Sequence, residues 1–239
     1  MAKYLVALAF VVLAACAPHA RPSARIIGES GTAELDYSTE SARIRVAAAA
    51  TVEVVTPTGR GSGAHIGRGY VLTAYHVVKG DAMIAIQRVG PGAAFGRPAA
   101  LVAFDEANDL AILISSDTDS FPDVPIREDS PSAFDECLAI GFPGEGSCPR
   151  ASIGLVQCID GRDLEYSAHG YFGSSGGPIL TRAWYNSGAY WRWEVSSVTQ
   201  RIHVAEYQGL PVPMTWKMIG CAPLILREFV ARSIAGRQP

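Results

Sequence analysis

The amino-acid sequence predicts an all-β fold in two halves, closed by a C-terminal helix. Short β-branched segments recur between glycine or polar breaks on both sides of one acidic, proline-bearing connection, "SDTDSFPDVPIREDSPSAFDE" (116–136). Only the end of the chain, "APLILREFVARSIAG" (222–236), switches to a helical period, with Leu224, Leu226, Phe229 and Ile234 on or near one face. With 49% hydrophobic and 18% charged residues, the 239-residue chain can bury one substantial core or two small ones that share an interface.

The first residues stand apart from this pattern. "MAKYLVALAFVVLAAC" has one lysine and then an apolar run, Tyr4 to Ala15, too short to span a bilayer, so residues 1–15 read as a secretory signal. "LAAC" (13–16) resembles the lipobox of bacterial lipoproteins, and cleavage after Ala17 would place Pro18 next. Cys16 is therefore the expected lipidation site and the mature N-terminus. Several acyl chains there would hold the protein to a membrane, at the cell envelope and facing the periplasm or exterior. Residues 16–37 read as a flexible tether. "STESARIRVAAAA" (38–50) can start a short helix with Ser38 or Thr39 as N-cap.

Six strand candidates follow: "TVEVV", "GSGAHIG", "GYVLTAY", "AMIAIQRV", "AALVAF" and "LAILIS". After the acidic connection come six more, "CLAIGF", "ASIGLVQCI", "DLEYSA", "GPILTRAW", "YWRWEVSSVTQ" and "RIHVAEY". This spacing suits a small barrel or sandwich in each half. In "YWRWEV", Trp191, Trp193 and Val195 alternate onto one face; packing against the barrel or the terminal helix is expected, a surface aromatic platform being the alternative.

A net charge of −3 with no basic stripe excludes polyanion binding, so no nucleic-acid partner is expected. Beyond Cys16, the four cysteines Cys137, Cys148, Cys158 and Cys221 all lie in the second half. In an exported protein they allow two disulfides in three connectivities, free buried thiols being the alternative. No Cys/His spacing suggests a metal, and no cofactor is expected.

The chemistry concentrates in "YFGSSGGPIL" (171–180). Gly173, Gly176 and Gly177 let backbone amides approach a substrate oxygen beside Ser175. A serine hydroxyl is a weak nucleophile, so the reading needs a base and an orienting acid. His76 leaves an apolar strand, "GYVLTAYHVV", at a point where it can face a cleft as general base. Asp109, directly before "LAILI", is fixed at the start of a strand and can hold the imidazole tautomer. Asp105 is the more exposed carboxylate.

"LTAYHVV", "NDLAIL" and "GSSGGP", in the order His, Asp, Ser, resemble the three signature blocks of trypsin-fold serine proteases, closest to the bacterial HtrA-like and trypsin-like branch. "GRGSGAHIGRGYVLTAYHVV" and "AIGFPG" resemble that branch too. The resemblance covers about residues 50 to 205. It implies two six-stranded antiparallel β-barrels with the active site between them: a protease domain over 38–222, an N-barrel at about 50–115, a C-barrel at about 133–210 and a helix at 222–237. It also implies His76 as base, Asp109 as orienter, Ser175 as nucleophile, and the amides of Gly173 and Ser175 as oxyanion hole. The substrate would be a peptide or protein.

Within that resemblance, "ARIIGES" (24–30) looks like the activation site of secreted trypsins, whose freed amine pairs with an aspartate just before the nucleophile. Ser174 stands there instead, so no zymogen switch of that kind is expected. The residue six before the nucleophile, His169, lies at the base of the family's specificity pocket or is a loop histidine. Ser197, Thr199 and Gln200 are candidates for the opposite wall. No PDZ-like extension follows, which argues for a single catalytic unit; an oligomer is not indicated. The expected function is an envelope-tethered serine endopeptidase. The alternatives are a catalytically silent protease-fold binding lipoprotein and an esterase using the same three residues.

Overall fold

The computed structural model of the protein describes residues 39–87, 96–115, 122–144, 148–185, 188, 190–208 and 210–235. The signal segment, Cys16, the tether and "ARIIGES" lie outside the described residues. No described helix is long and apolar enough to cross a membrane.

Helix α1 (Glu40–Ala50) opens with Thr39, whose Oγ1 accepts the Ala42 N–H at 3.1 Å. It ends at Thr51, which donates its hydroxyl to the Ala47 carbonyl, and runs straight into the first barrel. That barrel comprises β1 (Thr51–Val55), β2 (Arg60–His65), β3 (Tyr70–Thr73), β4 (Ile84–Gln87), β5 (Arg97–Asp105) and β6 (Leu110–Ile114). All neighbours are antiparallel and the ring closes in the order β1-β2-β3-β6-β5-β4. A short helical turn, α2 (Tyr75–Val78), follows β3.

The second barrel comprises β7 (Glu136–Gly141), β8 (Arg150–Ile159), β9 (Asp163–Tyr166), β10 (Pro178–Tyr185), β11 (Tyr190–Tyr207) and β12 (Leu210–Cys221), closed as β10-β11-β12-β9-β8-β7. Helix α3 (Pro223–Ile234) starts with proline in its first turn, where a missing N–H costs nothing. Closure leaves neither sheet with a free edge along the barrel. The double barrel with its terminal helix is thus the fold the sequence predicts.

The interiors are filled by alternate strand residues: Val52, Val54, Val71, Ile86 and Leu113 in the first barrel, and Cys137, Val156, Leu164, Tyr166, Ile179 and Met218 in the second. A third cluster joins the units. Leu72, Leu110 and Ile112 of the first barrel meet Leu138, Ile140, Leu180 and Val198 of the second, together with Leu226 and Phe229 of α3. Burial of each such side chain contributes about 1.5–3 kcal/mol, so this cluster holds the two barrels in one fixed relation.

Two strand boundaries differ from the sequence reading. "YWRWEVSSVTQ" and "RIHVAEY" form one continuous strand, β11, which pairs with β10 and then crosses to β12. The stretch after residue 210 is a strand, so the second barrel runs to Cys221 rather than to about 210. Pro211 and Pro213 hide it in the sequence. Both sit where β12 pairs with β11 alone, since pairing with β9 begins at Met218, and a missing N–H is tolerated there.

Trp193 and Val195 are buried in the joint cluster, and Trp191 packs beside them. The guanidinium groups of Arg43 and Arg182 lie 4.1 and 4.4 Å from the Trp191 ring centre. The alternation therefore serves packing, with a cation–π sandwich joining α1 to β10 and β11.

The expected disulfides are absent among the described residues: Cys137 and Cys221 are buried and free, Cys148 and Cys158 exposed and free. The ladders explain it. Cys137 faces Gly154 and Thr181 across its strands, Cys158 faces Glu165 and Cys221 faces Asp163, so these three have no cysteine opposite. Burial pushes the Cys137 thiol up to about 12 and the Cys221 thiol up to about 11. A native-state thiol titration of residues 137–221 at pH 8 should modify Cys148 and Cys158 within minutes and leave Cys137 and Cys221 intact until denaturant is added. Reductant should leave the melting temperature unchanged.

Candidate active site

The position of His76 follows from its neighbours. After β3 ends at Thr73 the chain makes the turn α2, and buried Val77 and Val78 anchor it. His76 then faces outward with its side chain 46% exposed. Asp109 grips it twice: Oδ1 accepts the His76 backbone N–H at 2.8 Å and Oδ2 lies 2.7 Å from Nδ1. A carboxylate can only accept, so the proton sits on Nδ1 and Nε2 is left as the basic nitrogen. The Asp109 carbonyl also accepts the Tyr75 N–H at 3.2 Å, which closes the loop on itself. Asp109 adopts a left-handed conformation, φ +50°, which aspartate tolerates better than most residues.

Asp105 is not the exposed bystander expected. Its side chain is 13% exposed, accepts the backbone and side-chain N–H groups of Asn108 at 3.2 and 3.0 Å, and pairs with Arg232 of α3 at 2.5 Å. Burial works against its charge, but the Asn108 hydrogen bonds and the Arg232 guanidinium outweigh it and hold the carboxyl below its ordinary 3.8. Asp105 thus shapes the turn that presents Asp109. Nothing near it in sequence announces Arg232, more than a hundred residues away.

Ser175 sits in a turn built by cross-links. Ser174 N–H donates to the Tyr171 carbonyl at 2.9 Å, and Tyr171 N–H donates back to Ser174 Oγ at 3.3 Å. The Gly176 N–H reaches the Thr199 carbonyl and the Gly177 N–H reaches that of Ser174. The Phe172 carbonyl accepts from Gly144 N–H at 2.9 Å. In a trans peptide C=O and N–H point in opposite directions, so this bond turns the Gly173 N–H away from Gly144. Among the described residues, the amides of Gly173 and Ser175 have no acceptor, while those of Ser174, Gly176 and Gly177 are all bonded.

Ser62 of β2 ties this turn to the first barrel. Its N–H donates to the Ser175 carbonyl at 2.7 Å, and its Oγ donates to the Gly173 carbonyl at 2.7 Å and accepts Phe142 N–H at 2.8 Å. Glycine is required at two points here. At Gly173, φ +94°, a Cβ would lie 2.4 Å from the Phe142 carbonyl; at Gly176, φ +82°, it would lie 2.2 Å from Thr73 Oγ1.

The Ser175 turn and the residue after His76 both pack against Gly61. A Cβ on Gly61 would meet the Ser175 carbonyl at 2.8 Å and Val77 Cγ1 at 2.7 Å, so the turn and the residue after His76 share one neighbour. The Ser175 hydroxyl itself has no hydrogen-bond partner among the described residues.

His169 and Thr199 line one cavity of about 260 Å³ with Ser152, Gly170, Tyr171 and Ser174. Thr199 Oγ1 is 2.8 Å from the hydroxyl of buried Tyr166. Ser197 is absent from that lining, buried and donating to the Cys221 carbonyl at 2.6 Å. Gln200 lines a different cavity, with Asn108, Asp109 and Arg162. Sequence reasoning missed Ser62, Gly144 and the turn of Gln200 toward Asp109. For Ser62 a signal existed, a small polar residue between two glycines in the strand directly ahead of the apolar strand β3.

Comparison with known proteins gives the family and the fold. The profile of the trypsin-like peptidase domain matches residues 61–186. An uncharacterized protein, y4bJ, of Sinorhizobium fredii is 32% identical over 123 residues, 47% of this chain; the match spans only 18% of that protein's length. Among solved structures, a serine endoprotease from Yersinia pestis superposes with TM-score 0.63 at 23% identity, covering 81% of this chain and 66% of that one. The Rv3671c protease of M. tuberculosis, inactive form, gives 0.62 at 17%, covering 81% and 93%. The MamO protease domain from Magnetospirillum magneticum gives 0.59 at 21%, covering 77% and 98%.

Ser62→Ala should leave the Gly173 carbonyl and the Phe142 N–H unpaired, at a cost of about 1–3 kcal/mol for the buried Phe142 N–H and less for the part-buried Gly173 carbonyl. Chemical unfolding checks this: the midpoint should fall well below wild type, and an unchanged midpoint would mean that the clamp carries no weight.

Proposed function

Because the chain belongs to the trypsin-like peptidase family, we propose that it is a serine endopeptidase acting through His76, Asp109 and Ser175, tethered to the cell envelope by lipid on Cys16. The observation that carries the reading is that the amides of Gly173 and Ser175 have no acceptor among the described residues while those of Ser174, Gly176 and Gly177 are bonded, in a chain whose His76 is already fixed by a carboxylate.

In this mechanism Ser175 Oγ attacks the scissile carbonyl carbon while His76 Nε2 takes its proton. Asp109 stabilises the imidazolium that forms, and the two amides hold the oxyanion. Collapse of the tetrahedral intermediate breaks the C–N bond. His76 returns the proton to the leaving amine, and an acyl group stays on Ser175. Water, deprotonated by His76, attacks that ester and restores the enzyme. His169 and Thr199 line the cavity behind Ser174 and are the residues proposed to bear on substrate choice.

Fluorophosphonate labelling of the full-length protein tests this, because the reagent needs an activated serine and oxyanion donors but no known substrate. A single adduct at Ser175, located by mass spectrometry and lost in Ser175→Ala and His76→Ala, is the expected result. A folded wild-type protein that takes no label would instead favour a catalytically silent binding lipoprotein.

A further inference from the structure

Gln200 lies on β11, in the second barrel, and is 8% exposed. Its side chain leaves that barrel. Nε2 donates to the carbonyl of Asn108 at 2.6 Å and to the carbonyl of Asp109 at 3.1 Å. A carboxamide has two N–H donors, and here both are spent on main-chain oxygens of the first barrel.

Those two oxygens are not arbitrary. The Asn108 carbonyl belongs to the peptide plane before the Asp109 Cα, and the Asp109 carbonyl to the plane after it. Holding both planes fixes φ and ψ of the residue between them. That residue has φ +50°, a conformation that costs a non-glycine residue about 1–3 kcal/mol and persists only where its surroundings over-determine it. Tyr75 N–H, at 3.2 Å, constrains the second plane, and Asp105 holds Asn108 by its own N–H and side chain. Gln200 is the group that constrains both planes at once, and it comes from the barrel that carries Ser175.

The geometry points to Gln200 as a positioning residue: it fixes the backbone of Asp109 so that the carboxylate meets both His76 N–H groups, and it couples that orientation to the docking of the second barrel. The assignment rests on the proposed role of His76 and Asp109. It predicts that the effect of Gln200 passes through the His76–Asp109 hydrogen bond and not through substrate contacts.

Gln200→Met keeps length and volume but removes both donors, and Gln200→Glu keeps the shape while setting acceptor oxygens against two carbonyls. Two readouts on full-length protein test them. In proton NMR, wild type should show a low-field, exchange-protected Nδ1–H signal for His76, identified by its loss in His76→Ala; both variants should weaken it or move it upfield. The fluorophosphonate labelling rate should fall ~10-fold or more in Gln200→Met and further in Gln200→Glu, within the about 10⁴-fold that loss of an orienting carboxylate costs. Folded variants that keep both the signal and the rate overturn the proposal, as does a wild-type spectrum without the signal. If Gln200→Glu does not fold, Gln200→Met decides alone. A signal that responds to Gln200 in a wild-type protein that takes no label would uphold the positioning role while removing the endopeptidase reading; labelling with an unresponsive signal would do the reverse.

Discussion

The structure depends on the seam where β2 of the first barrel meets the Ser175 turn of the second. Ser62 occupies it and spends its N–H on the Ser175 carbonyl and its hydroxyl on the Gly173 carbonyl and the Phe142 N–H. Its own carbonyl accepts the Thr73 hydroxyl at 2.7 Å, three residues before His76. One buried serine therefore links the strand that leads to His76 with the turn that holds Ser175. The residue must be small, since Gly141 and Gly177 approach it closely from the other barrel.

That seam explains why the turn needs no charged anchor. In secreted trypsins, as the sequence resemblance implies, a buried ion pair at the residue before the nucleophile organises the site. Here Ser174 bonds reciprocally with Tyr171, while Gly144 and Ser62 hold the carbonyls of Phe172 and Gly173. Neutral hydrogen bonds avoid the desolvation cost of a buried charge. They also make the turn a property of barrel packing, so whatever shifts the joint cluster of Leu72, Leu138, Leu180 and Phe229 shifts the site as well.

Much of the fold was legible because β-branched runs and glycine punctuation are local signals. The barrel strands up to "GPILTRAW" fall within a few residues of their observed positions, and Thr39 caps the first helix. What failed to show was set by distant partners. β12, which carries two prolines, has no strand candidate in the sequence reading, and only its one-sided pairing makes those prolines harmless. Asp105 reads as solvated until Arg232 arrives from the far end of the chain. Gln200 reads as a pocket wall, because no local pattern tells which way a side chain on a strand crossing from one neighbour to another will turn. The cysteine count suggested bridges, and the register sets no cysteine opposite Cys137, Cys158 or Cys221.

The central claim is that the turn is preformed, with the amides of Gly173 and Ser175 kept free while bonds occupy those of Ser174, Gly176 and Gly177. Amide hydrogen exchange read by NMR on the full-length protein, before and after phosphonylation of Ser175, tests it most directly. The account predicts fast exchange at Gly173 and Ser175 against slow exchange at Ser174, Gly176 and Gly177, and protection of the first two once a phosphonyl oxygen accepts from them. A Gly173 amide that is already protected in the free protein, or that stays unprotected in the adduct, would contradict it.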